Sequence, residues 1–336
     1  MTRRNPQVTQ RKNIIKGRVF EYVLRNLITK AGFNLDVELE QMTKSKSIKK
    51  LHGRGSTYAP DFIGEFPMSL PFSYPFLLLG EAKYYSHPLG IKEVRAFLGA
   101  FIDISQYPRI NTKSRSLFKY SQIFLGKRYN YIPVIFSSGG FARNAQALMW
   151  AHGIYFVSYE NSAVFEDLKR KIEFVINNID YKEIDKEDIK KIVSLETLKN
   201  IKNRAKKERF NENLKKLIDF LNPLKSYFGI LDNLWPIHFL SKNKSLMKPS
   251  LKIRECSYIL KDNILIIKRT THKNSTNAGF VSLPKYFIQE YKKISSKNKK
   301  DTLREIILYL PKANKVFPFY IRLNEIKIQN ETTNTK

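Results

Sequence analysis

The sequence predicts a mixed α/β fold, in which a sheet lies between helices and a second α+β region follows. Three observations lead to this prediction. The chain opens with an amphipathic helical pattern, short apolar strands then alternate with helices as far as residue 160, and lysine-rich helices and further strands make up the rest. A length of 336 residues is enough for two hydrophobic cores, so we expect domains at 1–165 and 166–330.

The first region is predicted to begin with a helix over residues 17–31, which ends at Gly32. Its inner face carries apolar residues at helical spacing: Phe20, Val23, Leu24, Leu27 and Ile28. Two strands follow over residues 59–66 and 76–85, joined by a proline-rich segment. Because strands that follow one another in the chain commonly pair, we expect these two to be antiparallel neighbours.

A second helix is predicted over residues 91–104, with Lys92 and Arg95 on its outer side and Gly99 in a position to permit close packing. Residues 131–159 then form a strand–helix–strand unit. A right-handed crossover in such a unit makes its two strands parallel. The first region is therefore expected to hold a mixed sheet between helices.

Lysine-rich helical stretches are predicted beyond residue 165, as far as Asn222. Strand-like and helical runs follow, with strands expected over 251–260, 263–270, 304–310 and 316–323 and a helix over 285–294. This region carries more than half of the net charge of +30, which arises from 60 Lys and Arg against 30 Asp and Glu. Such an excess indicates a polyanionic partner, and we expect DNA or RNA rather than a membrane surface.

Composition also excludes several classes of protein. The single cysteine, Cys256, excludes an intramolecular disulfide and a thiolate metal cluster, and the five histidines are scattered without metal-ligand spacing. The longest apolar stretch, residues 66–79, is interrupted by three prolines and is too short to span a bilayer. No apolar signal segment follows the basic N-terminus, so we expect a cytoplasmic protein with no membrane partner.

The segment LLLGEAKYYS, residues 77–86, places Glu81 and Lys83 two residues apart in an apolar strand. Side chains alternate along a strand, so both charges are predicted to share one face. Burial of either charge costs several kcal/mol unless the charge is paired or holds a metal. A structural ion pair at a strand end is one interpretation, and a catalytic site is the other.

Asp61 begins the preceding strand, directly after Pro60. If the two strands pair, Asp61 lies beside Glu81 and Lys83. Two carboxylates and the backbone carbonyl of Ala82 would then form a set of hard oxygen ligands suited to Mg²⁺, for which Mn²⁺ can substitute. A lysine at that place can position the attacking water and offset phosphate charge, so the chemistry indicated is metal-assisted hydrolysis of a phosphodiester.

Pro60-Asp61 followed by Glu81-Ala82-Lys83 resembles the PD-(D/E)xK signature of the restriction-endonuclease-like nucleases. The surrounding segments are similar to Mrr-like nuclease domains in the same order: KGRVFEYVLRNLITKAGF, LLLGEAKYYSHPLGIKEVRAFLGAF and VIFSSGGFARNAQALMWAHGIYFVS. The resemblance covers about residues 15–160. It implies a restriction-endonuclease-like mixed sheet flanked by helices.

The resemblance also implies roles for single residues. Asp61 and Glu81 would be metal ligands together with the carbonyl of Ala82, and Lys83 would be the catalytic lysine. Glu21 occupies the place of a first-helix glutamate that often assists the metal site in relatives; the alternative is a surface ion pair with Arg25, one turn later. Two departures from the family are the proline-rich segment between the two strands and a full acidic ligand, Glu81, where some relatives have glutamine.

Arg54, Lys92 and Arg95 are candidate contacts to DNA phosphates, and the alternative for each is a solvated charge. Ser137 and Ser138 are expected either to bond phosphate or to cap the helix after them.

The function predicted from the residues and the resemblance is a Mg²⁺-dependent endonuclease for double-stranded DNA, of the type II restriction class, with the basic C-terminal region helping to select DNA. One set of motifs per chain predicts a homodimer on a twofold-symmetric target, with a cognate DNA methyltransferase acting separately. A modification-dependent, type IV nuclease of the Mrr-like kind is an alternative. A DNA-binding protein with an inactive nuclease fold is the alternative that is not an enzyme.

Overall fold

A computed structural model of the chain describes residues 6–39, 42, 50–68, 72–107, 128–160, 163–178, 204–231, 235–241, 253–261, 264–269, 278–282, 305–312 and 315–328. Within these ranges the first region forms three helices and six strands: α1 (Pro6–Lys30), β1 (Leu51–His52), β2 (Thr57–Tyr58), β3 (Phe62–Phe66), β4 (Phe76–Lys83), α2 (Ile91–Ser105), β5 (Asn130–Ser137), α3 (Arg143–Ala151) and β6 (Tyr155–Ser158). Four of these strands form one mixed sheet in the order β3-β4-β5-β6.

The pairing within this sheet follows the prediction. Strands β3 and β4 are antiparallel, with Phe62 opposite Gly80 and Phe66 opposite Phe76, so the proline-rich connection does not prevent their pairing. Strand β5 runs parallel to both β4 and β6. The predicted antiparallel pair and the predicted parallel unit are both confirmed.

Strand β4 supplies apolar side chains to both faces of the sheet. Leu78 and Ala82 lie in a buried cluster with the inner face of α1, whereas Leu77 and Leu79 lie in a second cluster with Ile104 of α2. This division follows from the two-residue repeat of a strand. The sheet therefore lies between helices, as the sequence predicts.

Two boundaries and one packing prediction differ from the structure. Helix α1 begins at Pro6, not at residue 17, and a proline at the first helical position loses no intrahelical hydrogen bond. The strand predicted from residue 59 begins at Phe62, after Pro60, whose missing N–H cannot join a ladder. Gly99 is not a close-packing position, because a Cβ built there meets no atom within 4 Å.

The described residues of the second region form two helices and seven strands: α4 (Ala163–Asn177), α5 (Arg204–Leu221), β7 (Lys225–Leu231), β8 (Trp235–Ser241), β9 (Ile253–Lys261), β10 (Ile264–Arg269), β11 (Ala278–Ser282), β12 (Glu305–Lys312) and β13 (Lys315–Ile328). The strands close into one sheet in the order β10-β11-β8-β7-β12-β13-β9, completed by the pairing of β9 with β10. Strands β7, β8 and β11 were not predicted, and the helix expected over 285–294 lies outside the described residues.

One buried cluster contains side chains from both regions. It joins α1 to Phe165 and Leu168 of α4, to Leu217 of α5 and to Leu240 of β8. The domain boundary at residue 165 stays a prediction, and apolar packing is continuous on both sides of it. Among the described helices, none is long and apolar enough to cross a membrane.

Candidate functional site

The pairing of β3 with β4 brings Asp61 to the end of the strand that carries Glu81 and Lys83. Asp61 directly precedes β3, and its Oδ2 accepts a hydrogen bond of 2.8 Å from the backbone N–H of Ala82. This bond fixes the Asp61 carboxylate beside the GEAK segment. The two halves of the sequence motif therefore meet in the structure.

Glu81 and Lys83 lie on one face of β4, and the Nζ of Lys83 donates a hydrogen bond to the Oε1 of Glu81. Their side chains are 23% and 26% exposed, so the ion pair is only partly shielded from water. The pair that the structural interpretation expects is thus present. Its partial exposure leaves both groups accessible to a ligand.

A cleft of about 280 Å³ lies between β4 and α2, and Glu81 and Lys83 both line it. Most of its wall is apolar or aromatic, since it also includes Tyr58, Pro60, Leu79, Tyr85, Phe97, Ala100, Phe101 and Ile104. Glu93, in the first turn of α2, adds a third charged side chain to the wall. The ion pair therefore faces a concave space large enough for a small polar group.

Helix α1 contributes charged side chains on the other side of Asp61. Glu21 is 8% exposed and accepts a hydrogen bond of 2.8 Å from Arg18. Arg25 donates instead to the backbone carbonyl of Asp61, and its guanidinium lies 5.6 Å from the ring centre of Phe62. The alternative of a surface pair between Glu21 and Arg25 is wrong, because Glu21 is buried and Arg25 is held by β3.

All three carboxyl groups have raised pKa values, and the charge of Asp61 contributes to the shifts of the other two. Burial, and then the charge of Asp61, raises the pKa of Glu21 to about 7 from its usual 4.5. Burial also raises the pKa of Asp61, although the Ala82 N–H and nearby cations oppose that effect. For Glu81, burial and Asp61 raise the pKa, while Lys83 lowers it. Negative charge is therefore concentrated and costly around Asp61.

The lysine of the site stays protonated. Burial lowers the pKa of the Lys83 ammonium, but the attraction of Glu81 and Asp61 outweighs burial and raises it above its ordinary value. At neutral pH Lys83 is therefore a fixed positive charge and hydrogen-bond donor, and it does not act as a base.

The backbone of Ala82 faces Asp61. Its N–H points to the Asp61 carboxylate, and the carbonyl of a strand residue lies on the same side as its N–H. The Ala82 carbonyl thus points toward the β3 edge, on the side where Asp61 lies.

The three candidate DNA contacts, Arg54, Lys92 and Arg95, are not among the described residues that line the cleft. Arg54 is exposed at the tip of the β1–β2 hairpin, which leads through Tyr58 to Asp61. Lys92 and Arg95 are exposed on α2, and neither belongs to the described residues that line the cleft.

Ser137 and Ser138 neither cap α3 nor face solvent. The Oγ of Ser137 donates to the carbonyl of Gly140, and the Oγ of Ser138 donates to the carbonyl of Tyr85. The N-cap residue of α3 is Ala142, which has no side-chain cap. Both serines are buried: Ser137 closes the turn after β5, and Ser138 holds that turn against the segment after β4.

The sequence interpretation missed Arg18, Glu93 and Asp103 in the surroundings of the site. Arg18 lies one helical turn before Glu21, and this i,i+3 spacing was a usable signal. Glu93 and Asp103 reach the site region only through the packing of α2 on β4, which no local pattern indicates.

Comparison with known proteins gives little information. No family model matches the chain, and no curated protein matches it. A crystal structure titled as a protein of unknown function, AF1548, aligns with a TM-score of 0.35 and 14% sequence identity, covering 62% of this chain and 99% of the other.

Proposed function

We propose that this chain is a Mg²⁺-dependent DNA endonuclease with a restriction-endonuclease-like catalytic sheet. The observation that carries the proposal is the placement of Asp61, Glu81 and Lys83 at one end of the β3–β4 pair, beside a cleft. An ion pair with a purely structural role has no need of a second carboxylate bonded to its strand. The net charge of +30 supports a polyanionic substrate.

The donor set suits a hard divalent cation. Asp61 raises the pKa values of both Glu21 and Glu81, so a cation between the carboxylates would relieve their repulsion. Across the part of the chain that the structure describes, no group of three or more His, Cys, Asp or Glu side chains is arranged to hold a metal ion. Mg²⁺ commonly takes one or two protein carboxylates and several waters, so Asp61 and Glu81, with the Ala82 carbonyl, would suffice.

Each residue of the site has a distinct task in this proposal. A bound Mg²⁺ would supply Lewis-acid stabilisation of the phosphate and of the attacking water. Asp61 is held in place by the Ala82 N–H, and Glu81 by Lys83. The protonated Lys83 orients water and offsets the charge that develops on the phosphate oxygens. Glu21 and Arg25, behind Asp61, act as positioning residues.

Cleavage of supercoiled plasmid DNA tests the proposal. We expect nicked or linear products with Mg²⁺ or Mn²⁺ and none with EDTA. Asp61→Ala, Glu81→Ala and Lys83→Ala should each lower the rate by about 100-fold or more, the scale of loss of a positioned electrostatic group. Asp219→Ala, which removes an exposed carboxylate on α5, is the matched control and should cleave at the wild-type rate.

Undiminished cleavage in EDTA, or wild-type cleavage by Lys83→Ala, would contradict the proposal. Matched methylated and unmethylated plasmids in the same assay separate the restriction enzyme from the modification-dependent nuclease. If the wild-type protein binds DNA but never cuts it, the inactive, DNA-binding alternative is supported.

A further inference from the structure

The β1–β2 hairpin is fastened to helix α2 through one carboxylate. The side chain of Asp103 accepts hydrogen bonds from the backbone N–H of Gly55, at 2.9 and 3.2 Å to its two oxygens, and of Ser56, at 3.0 Å. The backbone carbonyl of Asp103 accepts a further bond of 2.9 Å from the N–H of Arg54. The turn itself is closed by a bond of 2.7 Å from the N–H of Gly53 to the carbonyl of Ser56.

The position of Gly53 shows how close this contact is. A Cβ at that residue would lie 2.2 Å from an oxygen of Asp103 and 3.0 Å from its backbone carbonyl carbon. Only glycine therefore allows the hairpin to approach α2 this closely. The three consecutive residues between Gly53 and Thr57 all donate their N–H groups to Asp103, and Arg54 itself is exposed to solvent.

The same carboxylate is connected to the catalytic cleft. Asp103 also forms a hydrogen bond with the Tyr58 hydroxyl, and Tyr58 lines the cleft beside Glu81 and Lys83. Asp61 follows Tyr58 by three residues. A group bound by Arg54 would therefore be held at a fixed position relative to the carboxylates of the site.

We propose that Asp103 is a positioning residue for DNA: it holds the Gly53–Ser56 turn rigid, so that Arg54 contacts a backbone phosphate of the DNA strand seated on the cleft. This inference rests on the proposed function for its choice of partner. Pre-ordering of the turn spares the complex the entropy of fixing a mobile loop. The N–H groups of the turn that donate to the Asp103 carboxylate partly offset its negative charge, which lessens its repulsion of a nearby phosphate.

The proposal predicts a change in DNA affinity opposite in direction to the change expected from charge alone. Removal of an acidic side chain near DNA normally strengthens binding. Asp103→Ala should instead weaken binding to a short fluorescent duplex by about three- to tenfold, because the turn loses its anchor. Arg54→Ala should weaken binding by about tenfold and lower the slope of log affinity against log salt by about one unit.

A double-mutant cycle tests whether Asp103 affects DNA binding through Arg54 or only through the general stability of the fold. If Asp103 acts through Arg54, then Asp103→Ala should cause no further loss in the Arg54→Ala background. Arg143→Ala, on the exposed start of α3, and Asp219→Ala, on α5, are the charge-matched controls and should leave affinity within about twofold. Asp103→Asn retains one acceptor oxygen, and its loss of affinity should be smaller than that of Asp103→Ala.

Binding is measured in EDTA, so the outcome does not depend on cleavage, and thermal unfolding establishes that each variant is folded. An Asp103→Ala protein that binds more tightly, or losses that add in the double variant, would overturn the inference. If these variants bind DNA more weakly but the wild type never cuts DNA, the proposed nuclease activity is refuted and the role of Asp103 in DNA binding is retained. Normal DNA cleavage together with unchanged affinity of Arg54→Ala would refute the anchored turn and leave the proposed nuclease activity intact.

Discussion

At the scale of single residues, the main feature of the site is the cost of its negative charge. Glu21 is buried on α1, and its pKa of about 7 lies above the usual 4.5 because burial and Asp61 both disfavour the ionised form. Arg18 offsets part of this cost at 2.8 Å. The folded protein consequently binds more protons than the unfolded chain between these two pH values.

The sign of the pH effect follows from this difference. A carboxyl group with a raised folded pKa contributes stability below its unfolded pKa and loses it as the pH rises through the folded value. We expect Glu21→Gln to become more stable than the wild type as the pH rises from about 4.5 to about 7, by at most about 3 kcal/mol. Urea unfolding of both proteins across this range measures the difference, and a difference independent of pH would contradict the assignment.

At the scale of elements, the loop after β4 and the turn after β5 pack backbone against backbone. A Cβ at Gly139 would lie 2.5 Å from the carbonyl oxygen of His87 and 2.7 Å from that of Tyr85. Ser138 bonds to both the N–H and the carbonyl of Tyr85 in the same contact. This contact holds the segment that follows Lys83.

Two glycine substitutions test this packing as a matched pair. Gly139→Ala should lower the free energy of unfolding by about 1–3 kcal/mol, because backbone atoms cannot move aside as a flexible side chain can. Gly99→Ala lies on the exposed side of α2, where a Cβ meets nothing, and should raise it by about 0.4–1 kcal/mol. Chemical denaturation gives both values. Equal effects of the two substitutions would show that the contact at Gly139 does not constrain the loop.

At the scale of the whole molecule, a buried hydrogen-bonded chain joins the two regions. Nδ1 of His238 lies 2.5 Å from the hydroxyl of Tyr159, which follows β6, and Nε2 lies 2.7 Å from the hydroxyl of Ser226 on β7. The ring of Phe228 stacks on the imidazole at 4.4 Å between centres. Burial lowers the pKa of His238 to about 3 from 6.5. The imidazole is therefore neutral in the folded protein.

A neutral buried histidine makes stability depend on pH. The unfolded chain binds a proton at His238 below about pH 6.5 and the folded protein does not, so this contribution to stability is lost as the pH falls from 6.5 toward 3. We expect the wild type to lose up to about 1.4 kcal/mol per pH unit relative to His238→Gln over that range. Denaturant titrations of both proteins at neutral and acidic pH measure it. Parallel pH profiles for the two proteins would contradict a neutral, buried His238.

The continuous core predicts the behaviour of a truncated chain. Phe165 of α4 lies 5.8 Å from Phe20 and 4.2 Å from Tyr159 between ring centres, and both contacts are absent from a chain that ends at Glu160. Such a fragment should bind the dye ANS and lack a cooperative thermal transition, since the part of the α1 face that packs on α4 and α5 would be left uncovered. A fragment with a sharp transition would instead establish 1–160 as an independent domain.

Local periodicity in the sequence determined much of the first region. The helical spacing from Phe20 to Ile28 fixed the buried face of α1, and the alternation of β4 placed Glu81 and Lys83 on one face. Both depend only on neighbours a few residues away. The pairing of Asp61 with the GEAK strand was likewise expected, because β3 and β4 follow one another in the chain.

Only the tertiary structure decided the partners that come from distant segments. The N–H of Ala82 holds the Asp61 carboxylate, Arg25 donates to the carbonyl of Asp61, and Asp103 fastens the hairpin of Arg54. No sequence pattern predicted the closed sheet of β7–β13 or the parallel pairing of β13 with β9. The physical reason is that these contacts join residues far apart in the chain, and their formation depends on the packing of whole elements, which the period of any single helix or strand does not encode.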